Sequence, residues 1–420
     1  MQTEINEFSE VEISQDQLVP WPRVAAVGAM VAFSLPTFIT GLEIYHASTA
    51  KNTLLALILG SALIFMIGAV MGVIGAKTRM SSYLLVRLAF GDKGASVVNV
   101  AFAISLLGWF GVNINLFADA LANIVNDVFQ IQLSELSLAI VGSFCMTLTT
   151  IIGFSAINRL ASLLVPVLFV VTILLASTAL KDNSIIELWT VNKVATMSLG
   201  EGISAVVGAI IVGAIILPDI TRFVKHWSGA IYTALIAYIV VQLLVMAAAS
   251  MAGAATGKVD ILEIMLDMGL GIGASIIVIT GSWVLNSLNL YSAVLSSKAT
   301  FPKLNSKLVT IVLGLVGIVV ALMNILDSFI TFIFYLSIIF IPVAGIIISD
   351  FLLIHPKKYA FSKLANNSDF NHKALVAWVI GAVFTILATE AYVPSISGIA
   401  AIDAMLLSAL IYCVFAWRDR

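Results

Sequence analysis

Twelve apolar runs, each near the length of a bilayer-crossing helix, constrain this chain more than any other feature. A bilayer core takes about 20 apolar residues per helix. The first six runs are Val24–Ile44, Asn52–Gly75, Gly94–Val125, Leu136–Phe154, Ala161–Leu180 and Gly202–Ile216. The second six are Gly229–Ala255, Met268–Ser297, Lys307–Leu326, Ser328–Leu353, Lys373–Glu390 and Ser397–Trp417. None alternates polar with apolar residues, so helices are expected and a barrel is not. Charged residues make up 10% of the chain, where a soluble domain carries about 25%. The fold class expected is therefore an all-α polytopic membrane protein with twelve transmembrane helices.

Lys and Arg set the orientation. With the loops assigned alternately to two sides, all but four of the 21 basic residues fall on one side. The four exceptions are Lys51, Lys181, Lys193 and Lys258. Both termini are then cytoplasmic. The opposite side holds Asp127, Glu135, Asp182, Glu187, Asp260, Glu263, Asp267 and Asp327. Met1–Trp21 carries five acids and no base. It reads as a flexible cytoplasmic tail, since a signal peptide starts with positive charge. A net charge of -2 offers no basic field for nucleic acid. Cys145 and Cys413 lie in apolar runs and read as small buried hydrophobes. The longest internal loop, Ile354–His372, is too short for a domain. No phosphate-cradling loop is present, so an ATP-driven pump within this chain is excluded and no cofactor is expected.

Function must then lie between helices, and spans broken by Pro or Gly often mark transporter sites. The first run contains Pro36 among Ser34, Thr37 and Thr40; the sixth carries Gly202, Gly208, Gly213 and then Pro218. These runs hold corresponding places in two five-helix halves. A proline kink and glycine-mediated packing are the plainer readings. In the third run Trp109 sits at mid-membrane, away from the interfacial belts. Asn113 follows one turn later on the same face. A flat ring beside an amide suits a planar heterocycle, stacked on its face and hydrogen-bonded at its edge. In the eighth run Asn286 and Asn289 share a face. For all three amides, bonding across a helix interface is the alternative. Glu43 and Asp119 are carboxylates inside runs and hence candidates for coupling to a proton. Both lie outward of the midplane, where a solvated vestibule is the competing explanation. Asp219, close to Arg222, reads as a gate or a structural ion pair.

Along nearly its whole length after the tail, the chain resembles the bacterial cytosine permeases of the nucleobase–cation symporter-1 family. The resemblance rests on Ile74-Gly-Ala-Lys-Thr78, Phe90-Gly91 with Lys93-Gly94, and Gly108-Trp-Phe-Gly-Val112. It also rests on Asp219 with Arg222-Phe223, and on Pro342-Val343 with Gly345 and Asp350. It implies the leucine-transporter fold: inverted five-helix repeats over 22–180 and 200–353, then two trailing helices over 373–417. It implies import of nucleobases or related heterocycles driven by sodium or protons. Five positions depart from what it implies. A glutamine one turn before the mid-membrane Trp is here Leu106, and an aromatic and a serine of the pocket become Ile210 and Val212. The matching span-eight asparagine is kept as Asn286. The two hydroxyls that complete the family's sodium site are here Val284 and Leu285.

The sequence thus points to a secondary active permease for a nucleobase-like heterocycle, working as a monomer or weak oligomer in the bilayer. A pyrimidine vitamin precursor or an amine is the alternative cargo, and a facilitative channel the alternative class. A channel wants a continuous polar stripe along several helices, and an enzyme wants a buried His, Cys or carboxylate constellation. Neither pattern is present.

Overall fold

The computed structural model describes residues 13–181, 184, 195–301, 303–323 and 328–417. Most of the acidic tail, the acids Asp182, Glu187 and Asp327, and the two terminal arginines lie outside the described residues. The described chain is helical. Its helices are α1 (Trp21–Ala32), α2 (Leu35–Ala47), α3 (Ala50–Thr78), α4 (Ser82–Phe90), α5 (Asp92–Phe129) and α6 (Glu135–Ile152). Next come α7 (Phe154–Ala179), α8 (Leu199–Gly208), α9 (Ile211–Ile215), α10 (Pro218–Thr221), α11 (Ser228–Thr256) and α12 (Ile261–Asp267). The last are α13 (Gly271–Thr300), α14 (Ser306–Ala321), α15 (Phe329–Ile354), α16 (His372–Thr389) and α17 (Ala400–Ala416).

Eight described helices are long and apolar enough to cross a bilayer, or ten if each of two bent pairs is one span. The shorter α14 and α17 are apolar as well. Leu163, Val170, Phe144, Val319 and Val414 are all more than half exposed on the outer faces. Such a surface is stable against lipid and costly against water.

Both bends fall in the runs singled out for Pro and Gly. α1 and α2 meet at 50° across Phe33 and Ser34. The break precedes Pro36, which occupies the first turn of α2. Proline is tolerated there because a first-turn N–H has no intrahelical acceptor. α8 and the α9–α10 segment meet at 56° across Ala209 and Ile210. Gly208, just before that bend, lies against the Ile333 carbonyl of α15, with no room for a Cβ. Its role is close backbone approach, as the packing reading held.

Two short helices replace loops. α4 is apolar and buried along its whole length except Arg87, but nine residues are too few for a bilayer scan to register. α12 is seven residues, started by Asp260 accepting from the backbone N–H groups of Leu262 and Glu263. In the same loop Lys258 pairs with Glu263 and Asp267, which raise its ammonium's pKa.

Three stretches adopt the wider π turn: Leu235–Gln242 in α11, Ile277–Gly281 in α13 and Asp350–Ile354 ending α15. Such turns rotate the following side chains off the helical stripe and often sit at functional places. The third begins a buried polar hub. Asp350 is fully buried, and its Oδ1 accepts from Tyr412 at 2.7 Å while its Oδ2 accepts from Tyr359 at 2.9 Å. His355 Nδ1 lies 2.7 Å from Oδ1. Burial, then the Asp350 charge, pushes the Tyr359 phenol well above its ordinary value, so it stays a neutral donor. The hub ties α15 to α17 and to the following loop.

Candidate functional site

A cavity lies where the two bends meet α5, α11 and α13. Ser34 and Val31 line it from the first bend, and Ala209, Ile210, Val212 and Gly213 from the second. Leu106 and Trp109 come from α5, and Leu285, Leu288, Asn289 and Ser292 from α13. These last four follow the i, i+3, i+4, i+7 spacing of one helical stripe. Tyr238, in the π stretch of α11, and Asp219, in the first turn of α10, also line it. The free volume is ≈ 50 Å³, room for about three or four waters.

Trp109 is 6% exposed. Phe332 and Phe329 of α15 stand edge-on to its ring at centroid distances of 5.3 and 6.0 Å. The indole is thereby held from the α15 side while it lines the cavity. Ser34 Oγ donates to the Val31 carbonyl at 2.9 Å and lies 3.2 Å from Thr37 Oγ1. Thr37 is buried but is not a lining residue.

The amides sort differently from the sequence expectation. Asn113 is fully buried, donates to the Trp109 carbonyl of its own helix at 2.8 Å, and does not line the cavity. Asn286 donates to the Phe110 carbonyl across the α5–α13 interface at 3.0 Å and sits behind the wall. Asn289 lines the cavity and lies 3.5 Å from Asn286 Oδ1. Asn286 thus holds α13 to α5, and Asn289 is the amide at the surface of the cavity. The sequence reading gave no weight to Tyr238, Ser292, Leu288 or Gly28. The α13 stripe was legible from spacing; Tyr238 was not, because a π turn shifts its direction.

Glu43 and Asp119 are exposed and lie outside the cavity. Asp119 accepts from Asn123 at 3.2 Å. Val284 is buried behind the wall and Leu285 lines the cavity. The part of α13 against the first bend is Gly281, where a Cβ would stand 3.0 Å from the Phe33 carbonyl. The adjacent Ser282 hydroxyl is buried and has no hydrogen-bond partner among the described residues. Among the described residues, no three His, Cys, Asp or Glu side chains are grouped to hold a metal.

A cavity between two bent, bilayer-length helical pairs in an all-helical body defines a solute transporter of the membrane. The comparisons agree. Residues 27–414 match the family described as permeases for cytosine/purines, uracil, thiamine and allantoin, and the chain belongs to that family. It is a permease and not an enzyme. It is 27% identical over 378 residues to the cytosine permease of Escherichia coli K12, covering 89% of this chain and 84% of that one. The fold is shared with Mhp1, a nucleobase–cation-symport-1 family transporter in a closed conformation with bromovinylhydantoin bound. That match has a TM-score of 0.78 at 19% identity, over 96% of this chain and 92% of the other. A sodium-coupled sialic acid symporter has a TM-score of 0.71 at 13% identity, over 99% and 93%.

Proposed function

We propose that this permease imports a nucleobase or a closely related planar heterocycle by alternating access, with the Trp109 cavity as the substrate site. One observation carries the reading: an indole from the middle of α5 lines the cavity at which both bent pairs meet. The family and the cytosine permeases at 27% identity support the substrate class. Most of the wall is aliphatic, with Ser34, Asn289, Ser292, Tyr238 and Asp219 as its main polar groups. That suits a ring whose faces are apolar and whose edge carries few hydrogen-bonding groups.

On this reading α14 and α17 also cross the bilayer, giving twelve spans. Residues 22–180 and 200–353 form inverted repeats, 373–417 the trailing pair, and both termini face the cytoplasm. The basic residues at the ends of α3 and α10 then mark the cytoplasmic end of the cavity. The test is uptake of radiolabelled adenine, cytosine, uracil, hypoxanthine and hydroxymethylpyrimidine into proteoliposomes. Saturable uptake of at least one supports the reading; uptake of none overturns it.

Sodium should matter little. The resemblance places methyl-bearing Val284 and Leu285 where sodium-coupled relatives place oxygens. At the first bend Ser34 and Thr37 are engaged with each other, leaving Ser282 and freed carbonyls. A hard cation wants about six oxygens. Replacing sodium by choline is expected to change substrate affinity by less than about tenfold, since coupling is reciprocal between ligands. A larger change would assign sodium to Ser282 and the bend carbonyls.

A further inference from the structure

The carboxylate of Asp219 is the charged side chain among the cavity's lining residues, and nothing above gives it work. It is 2% exposed. Its Oδ1 accepts from both the backbone N–H and the hydroxyl of Ser82, each at 2.8 Å. Its Oδ2 is buried with no hydrogen-bond partner among the described residues. The turn that carries it is fixed: Pro218 opens α10, and Gly75 of α3 lies so close that a Cβ would be 2.6 Å from Pro218 Cα.

The groups around it are few. On its own turn, Arg222 is 1% exposed and donates through Nε to the Asp219 carbonyl at 3.2 Å. From the end of α3, Arg79 donates to the Arg222 carbonyl at 2.9 Å. From α4, Ser82 binds it and the buried Tyr83 lies near it. From α11 comes Tyr238, which lines the same cavity. Among the described residues, no histidine, lysine or second acid lines the cavity. Glu43 and Asp119, the acids expected to carry a proton, are exposed and elsewhere.

We infer that Asp219 is a proton-binding site of the transport cycle, with Oδ2 as the atom that takes the proton. The inference rests on reading this cavity as the transport site. A carboxylate and a hydronium ion from cavity water give a neutral acid and a water. The two Ser82 donors occupy Oδ1, so the proton goes to Oδ2. Burial makes a charged oxygen with an unfilled bond costly, the buried Arg222 guanidinium beside it offsets part of that cost, and a neutral acid avoids it. The neutral form is the one that leaves the cavity compatible with an uncharged ring. Protonation and substrate binding therefore favour each other, and substrate affinity falls as pH rises.

The experiment is equilibrium binding of the same five radiolabelled heterocycles to full-length protein in detergent, from about pH 5 to pH 8.5. Infrared difference spectra over the same range are read for a protonated-carboxyl band. Wild type should lose about tenfold or more in affinity toward high pH, within the usual range of coupling. Asp219→Asn keeps an acceptor for Ser82 and should bind with no pH dependence and without the infrared band. If Asp219→Asn fails to fold, Ser82→Ala serves. Losing one donor to Oδ1 weakens the anion, so the pH midpoint should move upward. Wild-type pH dependence surviving in Asp219→Asn, or an unmoved midpoint in Ser82→Ala, overturns the proposal. An Asp219-dependent infrared band in a protein that binds none of the five heterocycles would uphold the proton site and overturn the substrate reading.

Discussion

Trp109→Ala is expected to abolish saturable heterocycle uptake while folded protein still reaches the membrane. Aromatic stacking contributes roughly 1 kcal/mol beyond area burial. The substitution also removes the plane that Phe329 and Phe332 hold in position. Deleting a buried indole costs about 3–5 kcal/mol of stability as well, so folding has to be read separately, by monodispersity and a thermal melt in detergent. Trp109→Phe separates the effects: it keeps a ring face and should retain uptake with weakened affinity. Unchanged affinity in folded Trp109→Ala would remove Trp109 from the pocket.

Asp350→Ala should give the largest loss of stability outside the site. Its carboxylate satisfies the hydroxyls of Tyr359 and Tyr412 and meets His355 Nδ1, with no exposure to solvent. Removing the acceptor from such a buried charged network costs about 3–5 kcal/mol. Tyr359→Phe or Tyr412→Phe deletes one hydroxyl and should cost about 1 kcal/mol each. Melting curves of the detergent-solubilised variants check the order. An Asp350→Ala protein that melts with wild type would show that the hub does not hold α15 to α17.

The helical membrane body and both bends were legible from sequence, because bilayer thickness dictates run length and Pro and Gly interrupt helices for steric reasons. Leu106, Trp109, Ile210 and Val212 all reach the cavity wall. The amides were not legible. Residues three apart share a face, so spacing alone could not say whether Asn286 or Asn289 reached the cavity. Only the packing of α13 on α5 decides that Asn286 bonds Phe110. The short α4 escaped because its apolar stretch is sub-bilayer in length, and with it went Ser82, the partner of Asp219. Glu43 and Asp119 are exposed, in keeping with the solvated-vestibule explanation: an acid within an apolar run faces outward if its helix turns that way, and periodicity near 3.6 does not say which neighbour covers which side.

The most direct test of the central claim is the ligand profile of Leu106→Gln. The side chain lies one turn before Trp109 on the cavity wall, where the resemblance implies a glutamine in cytosine permeases. A new edge hydrogen bond discriminates between rings that can and cannot meet it, by about tenfold or more in a desolvated pocket. Competition binding of cytosine, uracil, adenine, hypoxanthine and hydroxymethylpyrimidine would be measured on wild type and variant side by side. The account predicts that the variant's affinity shifts toward cytosine relative to the other rings, with the fold intact. An identical rank order and identical affinities in the two proteins would contradict the placement of the substrate beside Trp109.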